Sequence, residues 1–384
     1  MARARIFLLA GEPSGDMLGA RLMRALRDQA GDRLEFFGVG GARMAEQGLT
    51  SRFPMGELSV MGFTEVLPHL PRLHRRLRQT VAEIARSRPD LAVTIDSPGF
   101  SLRLQRRLGP LATKRIHYVA PQVWAWRQDR ASTLARDLDH LLALLPFEPP
   151  FFERFGLPCS FVGHPIVEEA GREGDGRHFR RRYDIPPDAP LLCLLPGSRR
   201  AEIGHHLPVL EHVVALLWRR FPRLRLVLPT LDGLAPVVRD LVARWDIPAL
   251  VIEDRAERFD AYAASWVAIA ASGTVALEVA LAGLPMITIY RTGALTGWLA
   301  RRMIRVPHVN LVNLILDRPA IPELLQEDCT PERIVDTAAW LLDDPGPREE
   351  QRAALAEAVA RLGAAGDKPP SQRAAARVLD LLGS

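Results

Sequence analysis

Short apolar runs alternate with amphipathic stretches along most of the chain. Ile6 to Ala10 is apolar without a break, the pattern of a strand buried on both faces, and Leu18, Leu22 and Leu26 then recur on one helical face. Glu35 to Val39 reads as a second strand closed by Gly40-Gly41, and a helix rich in Arg and Leu covers Leu70 to Ser87. Further strands are predicted at Leu91–Ile95, Arg115–Val119, Leu141–Leu145 and Ser160–Val162. Strands separated by helices at this spacing imply a parallel sheet covered on both faces. From Glu168 to Pro190 the periodicity lapses into Gly, Asp, Arg and prolines, the signature of a connection between domains. A second series follows: strands at Leu191–Leu195, Leu224–Leu228, Val251–Glu253, Val267–Ala271 and Met286–Ile289, with helices at Leu207–Phe221 and from Val275. Beyond Pro345-Gly346-Pro347 the tail is helical.

The predicted fold class is therefore α/β, with two Rossmann-like, doubly wound parallel-sheet domains facing a cleft. They cover residues 1–168 and 191–345, joined by a linker over 169–190 and followed by a helical tail over 346–384. A length of 384 residues agrees, since it exceeds what one hydrophobic core usually supports. With 48% apolar and 25% charged residues the composition is that of a globular protein, not a disordered one. No apolar run reaches the roughly eighteen residues a membrane-spanning helix needs. The apolar run after Met1 is followed by Gly11-Glu12-Pro13 where a leader would be cut, so it is read as a strand and a cytoplasmic location is expected.

Charge and cysteine usage narrow the chemistry. Cys159, Cys193 and Cys329 lie too far apart for a zinc knuckle or a disulfide framework, and no metal site is predicted. His205, His206 and His212 cluster without partner ligands and are read as a solvated helix start. The net charge of +5 is unevenly placed, with basic runs at Arg72–Arg78, Arg103–Arg107, Arg180–Arg182 and Arg301–Arg305. Two of these runs adjoin apolar residues: Met61, Phe63 and Leu67 precede Arg72, and Trp298 precedes Arg301 and Arg302. That pairing suits a membrane surface better than a phosphate backbone, and no nucleic-acid-reading motif accompanies it.

In open parallel sheets ligands bind beyond the carboxyl ends of the strands, so the residues just after each strand are the candidates. Gly11-Glu12-Pro13-Ser14-Gly15-Asp16 follows the first strand; it suits an anionic or hydroxylated ligand, or equally a tight turn with a capping Ser14 or Asp16. Asp96 ends a core strand and projects where a general base would stand, although Asp before Ser-Pro is also a common turn. Gly197, Ser198 and Arg199 form a Gly-Ser turn with guanidinium groups beside it, a plausible diphosphate clamp. Ser272, Gly273 and Thr274 open a helix whose Glu278 is placed to accept ribose hydroxyls. Together they describe a nucleotide-sugar diphosphate site. Asp137-Leu138-Asp139 matches a metal-holding Asp-x-Asp pattern but lies far from that clamp and is discounted.

These same segments carry a family resemblance. Gly11–Asp16, Val60–Val66, Ile95–Pro98, His117–Arg127 with its two tryptophans and Leu145–Glu148 resemble the lipid-A-disaccharide synthases, as do Phe161–Pro165, Leu195–Arg199, Ala271–Thr274 with Glu278, and Glu323–Glu327. The motifs run in order along nearly the whole chain. Gly99 departs from relatives that carry a second acid there, which leaves Asp96 as the carboxylate of that motif.

The resemblance implies GT-B architecture and an inverting transfer that needs no cofactor. The donor would be UDP-2,3-diacylglucosamine and the acceptor 2,3-diacylglucosamine 1-phosphate. Asp96 would be the base; Gly197, Ser198, Arg199, Ser272, Gly273, Thr274 and Glu278 would hold UDP, with Asn310, Asn313 and Gln326 near the donor. Ser14, Gly15 and Asp16 would line the acceptor side, while Met61, Phe63, Leu67, Arg72, Trp298, Arg301 and Arg302 would meet acyl chains or the membrane. It also implies peripheral attachment to the inner face of the cytoplasmic membrane and leaves room for a homodimer. The competing readings are another UDP-sugar enzyme of the same architecture and a non-catalytic nucleotide-sugar-binding protein at the membrane. The second would lack an acceptor-side carboxylate. A nucleic-acid binder ranks last and would show steeply salt-dependent affinity.

Overall fold

The computed structural model describes residues 3–58, 69–111, 113–169, 174–293, 297–298 and 302–383. The chain divides into two compact units, Met1–Pro165 with Ala365–Ser384, and Ile166–Ala364. In the first, β1 (Ala4–Ala10), β2 (Leu34–Val39), β3 (Leu91–Ile95), β4 (Lys114–Tyr118), β5 (His140–Ala143) and β6 (Cys159–Phe161) form one sheet in the order β2-β1-β3-β4-β5-β6. In the second, β7 (Leu191–Leu195), β8 (Arg225–Pro229), β9 (Ala249–Ile252), β10 (Val267–Ala271), β11 (Met286–Tyr290) and β12 (Glu323–Leu325) are ordered β12-β11-β10-β7-β8-β9. Every pairing is parallel.

The apolar runs form central strands because both of their faces are covered. Ile6, Leu8 and Ala10 pack with Leu22 and Leu26 of helix Pro13–Ala30 and with Ala374 and Val378 of the final helix, Pro370–Gly383. On the opposite face Phe7 and Leu9 meet Leu77 and Ile84 of helix Leu70–Ser87 and Leu104 of helix Pro98–Leu108. Each large side chain buried this way contributes roughly 1.5–3 kcal/mol. The core of the second unit joins Leu192, Leu194, Ile269 and Ile287 to Leu210 and Leu217 of helix Arg200–Arg220 and to Ile334 of helix Pro331–Asp343.

Three details differ from the sequence reading. The segment read as a linker contains a helix, Gly176–Arg182, capped by the Asp175 carboxylate, which accepts from the His178 amide at 2.8 Å. Phe179 anchors it and the Arg180 guanidinium donates to the carbonyls of Ala264, Pro186 and Ala189. One apolar residue among arginines is too little periodicity to read as a helix. β12 was also missed, being three residues long. The stretch read as one tail is shared between the units: helix Pro345–Val359 lies in the second, and after Gly363 (φ 103°) the final helix lies in the first. There Lys114 Nζ donates to the Leu381 carbonyl at 2.7 Å, and Gln29 Nε2 to that of Gln372 at 2.9 Å.

The motifs most specific to the resemblance meet inside the first unit. Trp124 is buried, its Nε1–H donates to Glu148 Oε1 at 3.1 Å, and its ring stands edge-on to Phe147 with centroids 4.9 Å apart. Glu148 Oε2 accepts the amides of Leu144 and Leu145 at 3.1 and 2.9 Å. Burial outweighs these donors and pushes the Glu148 carboxyl up to about 7. His117, buried at 2.8 Å from the Thr94 hydroxyl, is lowered to about 4 by desolvation. His140, also buried, is lowered to about 4 by desolvation and by the Arg377 charge.

These shifts set a pH dependence. A histidine lowered on folding adds stability that is complete above its unfolded value near 6.5 and is lost as pH falls toward its folded value, at about 1.4 kcal/mol per unit. Glu148 acts oppositely, its contribution being lost as pH rises through about 7. With His164, also lowered to about 4 by burial, three histidines stand against one carboxyl, so stability is expected to fall on acidification from pH 6.5 to 4.5. Urea denaturation at pH 6.5 and 5.0 measures it, and a flat profile would contradict the assignment.

Candidate active site

The strand order of each sheet fixes where a ligand fits. In a doubly wound sheet the connections on the two sides of the switch point run in opposite directions, leaving a crevice at the carboxyl ends of the two strands that flank it. In the first sheet those strands are β1 and β3, whose last residues, Ala10 and Ile95, are paired in register. In the second they are β7 and β10, where Leu195 pairs with Ala270. The predicted candidates Ser14, Asp96, Gly197–Arg199 and Ser272–Thr274 follow these four strands.

At the first switch point Ser14 Oγ donates to Asp96 Oδ2 at 3.2 Å. Asp96 Oδ1 accepts the Ser97 amide at 2.8 Å, and Ser97 Oγ donates to Glu12 Oε1 at 3.1 Å. Asp96 and Ser97 both hold left-handed backbone, φ 53° and 50°. Val119, at the end of β4, has φ 82°, and Gln326, at the end of β12, has φ 50°. The other non-glycine residues of this kind among the described ones, Arg88, Asp184 and Asp317, sit at helix C-termini, where the conformation is ordinary. Strained backbone away from helix C-termini therefore falls at the carboxyl end of the sheets, at a cost of roughly 1–3 kcal/mol per residue. Glu12 was not singled out from the sequence, although it lies inside the Gly11–Asp16 motif.

Asp16 serves the fold. It is buried, Oδ1 accepts the amides of Gly41 and Met44 at 2.7 and 3.1 Å, and Oδ2 accepts that of Arg43 at 2.9 Å. Its carboxylate thus caps helix Ala42–Glu46 and is turned away from the acceptor role expected of it. Gly15 is buried against β3. Asp139, of the discounted Asp-x-Asp pattern, lies just before β5, at the opposite end of the sheet, and pairs with Arg115 at 2.8 Å.

A groove of about 1790 Å³ opens beside this switch point. Its lining includes Glu12 and Ser97, the apolar side chains of Leu58, Leu70, Leu73, Leu77 and Phe100, and Arg75, Arg78, Arg103, Arg106 and Arg107. The expected acyl or membrane residues Met61, Phe63 and Leu67 lie outside the described residues, as does Arg301. Arg72 is exposed, 3.3 Å from the His69 ring. Trp298, 47% exposed, carries the Arg302 guanidinium over its ring at 4.0 Å.

At the second switch point Gly197 holds φ 124°, and a Cβ there would stand 2.6 Å from Glu202. The loop accordingly requires glycine. Glu202 folds back, accepting the Ser198 amide at 2.9 Å and Arg199 Nη1 at 3.3 Å, while the Arg199 side chain remains 71% exposed. Gly273 and Thr274 are exposed. Glu278 accepts from Arg258 Nη1 at 3.0 Å through one carboxylate oxygen. Gln326 Oε1 accepts the Thr292 amide at 3.4 Å.

Asn310 and Asn313, expected near the donor, are engaged within the fold. Both are buried. Asn310 Oδ1 accepts the Val312 amide at 2.7 Å, capping helix Leu311–Leu316, and its Nδ2 donates to Thr288 Oγ1. Asn313 Nδ2 donates to the Ile321 carbonyl and to Glu323 Oε1 at 2.8 and 2.7 Å, and its Oδ1 accepts the Ile321 amide. His206 is also unlike its sequence reading: it is fully buried within helix Arg200–Arg220, not solvated.

Two doubly wound parallel sheets, each with a polar cluster at its switch point, are the architecture of GT-B glycosyltransferases. The fold is shared by the glycotransferase of kitacinnamycin (TM-score 0.64, 15% identity, all of both chains covered). It is shared too by the UDP-GlcNAc 2-epimerase of Neisseria meningitidis solved with UDP-GlcNAc (TM-score 0.62, 10% identity, 100% of this chain and 99% of that one). The lipid-A-disaccharide synthetase family model matches residues 6–375. The lipid-A-disaccharide synthase of Rhodospirillum centenum is 52% identical over 379 residues, 98% of this chain and 94% of its own. This chain belongs to the lipid-A-disaccharide synthetase family.

The buried and exposed candidates separate by stability. Asn313→Ala leaves Glu323 and the Ile321 backbone short of partners and is expected to cost about 1–3 kcal/mol in urea denaturation. Arg199→Ala, on an exposed side chain, is expected to stay within about 0.5 kcal/mol.

Proposed function

We propose that this chain transfers a 2,3-diacylglucosaminyl group from UDP to the 6-hydroxyl of 2,3-diacylglucosamine 1-phosphate, giving the β-1,6-linked disaccharide 1-phosphate and UDP. Family membership supports the reaction. The observation that carries the residue roles is the Ser14–Asp96 pair at the first switch point, beside a groove lined by apolar side chains and arginines.

In this reading Asp96 takes the proton of the acceptor hydroxyl as its oxygen bonds to the sugar C1. The C1–phosphate oxygen bond breaks, the configuration inverts, and the electron pair leaves with UDP. A positioned base of this kind contributes about 10²–10⁴-fold. Ser14 holds the carboxylate in place. Arg199 beside the Gly197–Ser198 turn, with the Ser272–Thr274 turn, stabilises the charge growing on the diphosphate. The UDP-sugar seen in the N. meningitidis neighbour agrees with a nucleotide sugar as donor. Glu278 keeps its ribose role in part, since one of its oxygens is engaged by Arg258.

Both substrates carry acyl chains, and the groove suits them, with leucine and phenylalanine walls for the chains and guanidinium groups for phosphates. Peripheral attachment to the inner face of the cytoplasmic membrane belongs to this reading, and that surface and the exposed Trp298–Arg302 pair support it. Among the described residues no helix is long and apolar enough to cross a membrane.

The decisive assay mixes purified protein with both substrates, with and without a chelator, and follows UDP and disaccharide by mass spectrometry. Disaccharide is expected; UDP binding without disaccharide would overturn the reaction. Asp96→Ala, with donor saturating, is expected to lose at least 100-fold in kcat; a near-native rate would remove Asp96 as base. The double variant Arg75→Glu with Arg78→Glu is expected to sediment less with vesicles containing anionic phospholipid. Unchanged sedimentation would detach the groove from the membrane.

A further inference from the structure

The donor loop is clamped from within by the helix that follows it. Glu202 and His206 stand one turn apart on helix Arg200–Arg220 and both reach back, Glu202 to the Ser198 amide and His206 to the Pro196 carbonyl. The His206 ring is fully buried, with Nδ1 2.6 Å from the Pro196 carbonyl oxygen and Nε2 2.9 Å from the Arg291 amide nitrogen. These partners dictate the tautomer. Nε2 accepts from an N–H and carries no proton, so Nδ1 carries it and donates to Pro196. One neutral imidazole thus ties the loop after β7 to the backbone after β11.

We propose that His206 is a positioning residue of the nucleotide site, holding the Pro196–Arg199 loop in diphosphate-binding shape through its neutral Nδ1–H form. The proposal rests on the reading of that loop as the diphosphate seat. His206 does not touch substrate; it acts through Pro196 and the residues next to it. An aliphatic side chain of similar size fills the space but leaves a buried carbonyl and a buried amide without partners, so the loop is released. Protonation has a similar effect, because Nε2–H would then confront the Arg291 N–H.

The groups facing His206 bear on where this happens. Desolvation is the largest influence and lowers its pKa; the bond to the Pro196 carbonyl and Glu202 on its own helix raise it, and the neighbouring His205 lowers it. From β11 the Tyr290 ring stands edge-on at 5.8 Å and Arg291 presents its backbone amide. The neutral form is therefore favoured at physiological pH.

The test is UDP binding by calorimetry on the full chain, from pH 7.5 down to 5.0. His206→Leu is expected to raise the UDP Kd at least tenfold at pH 7.5, while His206→Gln, which keeps one donor and one acceptor, stays within about threefold of the native chain. UDP itself titrates in this range, so His206→Gln serves as the reference. The native chain is expected to lose affinity more steeply than this variant on acidification, and His205→Gln is expected to follow the native profile. A folded His206→Leu protein with native Kd, or parallel pH profiles for the native chain and His206→Gln, overturns the proposal. If His206→Leu does not fold, the comparison of pH profiles decides alone. Arg199→Ala separates the two levels. If it leaves UDP binding intact, the seat has been misread; if it weakens binding while His206→Leu does not, only the role of His206 falls.

Discussion

Parallel pairing is the constraint on which each unit depends. A parallel strand cannot return to its neighbour by a tight turn, so each connection crosses a face of the sheet, usually as a helix. Both faces are then covered and the strands must be largely apolar, as β7 and β10 are throughout. Strand order reverses once in each sheet, between β1 and β3 and between β7 and β10. The crevice left there is a by-product of covering both faces, and it offers polar residues the carboxyl ends of two strands without burying them in the sheet.

That crevice explains why strain appears where it does. Asp96 and Ser97 turn the chain sharply at the end of β3, through backbone angles that cost free energy in a side-chain-bearing residue. The turn is held by bonds on several sides: Asp96 N–H to the Tyr118 carbonyl at 2.9 Å, Ser101 Oγ to the Asp96 carbonyl at 2.8 Å, and Ser97 Oγ to Glu12. The core strands on either side anchor those partners. The backbone that carries the Asp96 side chain is thereby fixed, which is the advantage of building a site on a strand end.

Most of the architecture was legible because it is written in runs of apolar residues. Leu91–Ile95, Leu191–Leu195 and Val267–Ala271 are strands with the bounds their sequences suggest, and the residues that follow them are the ones gathered at the switch points. Polar residues were less legible. Asn310, Asn313, Asp16 and His206 look like surface or ligand groups in sequence, yet each is buried: Asp16 and His206 against backbone groups distant in the chain, Asn313 against Ile321 and Glu323, and Asn310 against Thr288. Only the tertiary fold supplies those partners, so no local pattern announces the burial. The Trp124 segment carries the resemblance without being a site candidate. It is diagnostic of the family, but its tryptophan and Glu148 brace each other in the interior.

The same contrast separates binding groups from structural ones. A polar side chain that already satisfies several buried donors can serve a ligand only by abandoning them, at roughly 1.5–3 kcal/mol for each hydrogen bond to a charged group. Asp16 holds three backbone amides, so turning to a substrate would cost more than one new contact returns. Ser14, by contrast, is exposed and makes a 3.2 Å bond to Asp96, and Arg199 is exposed with a 3.3 Å bond to Glu202. Such bonds exchange for a substrate hydroxyl or a phosphate at little cost. Within each motif, the residues fit for chemistry are thus those that the fold leaves weakly engaged, and the fully satisfied ones beside them hold that arrangement in place.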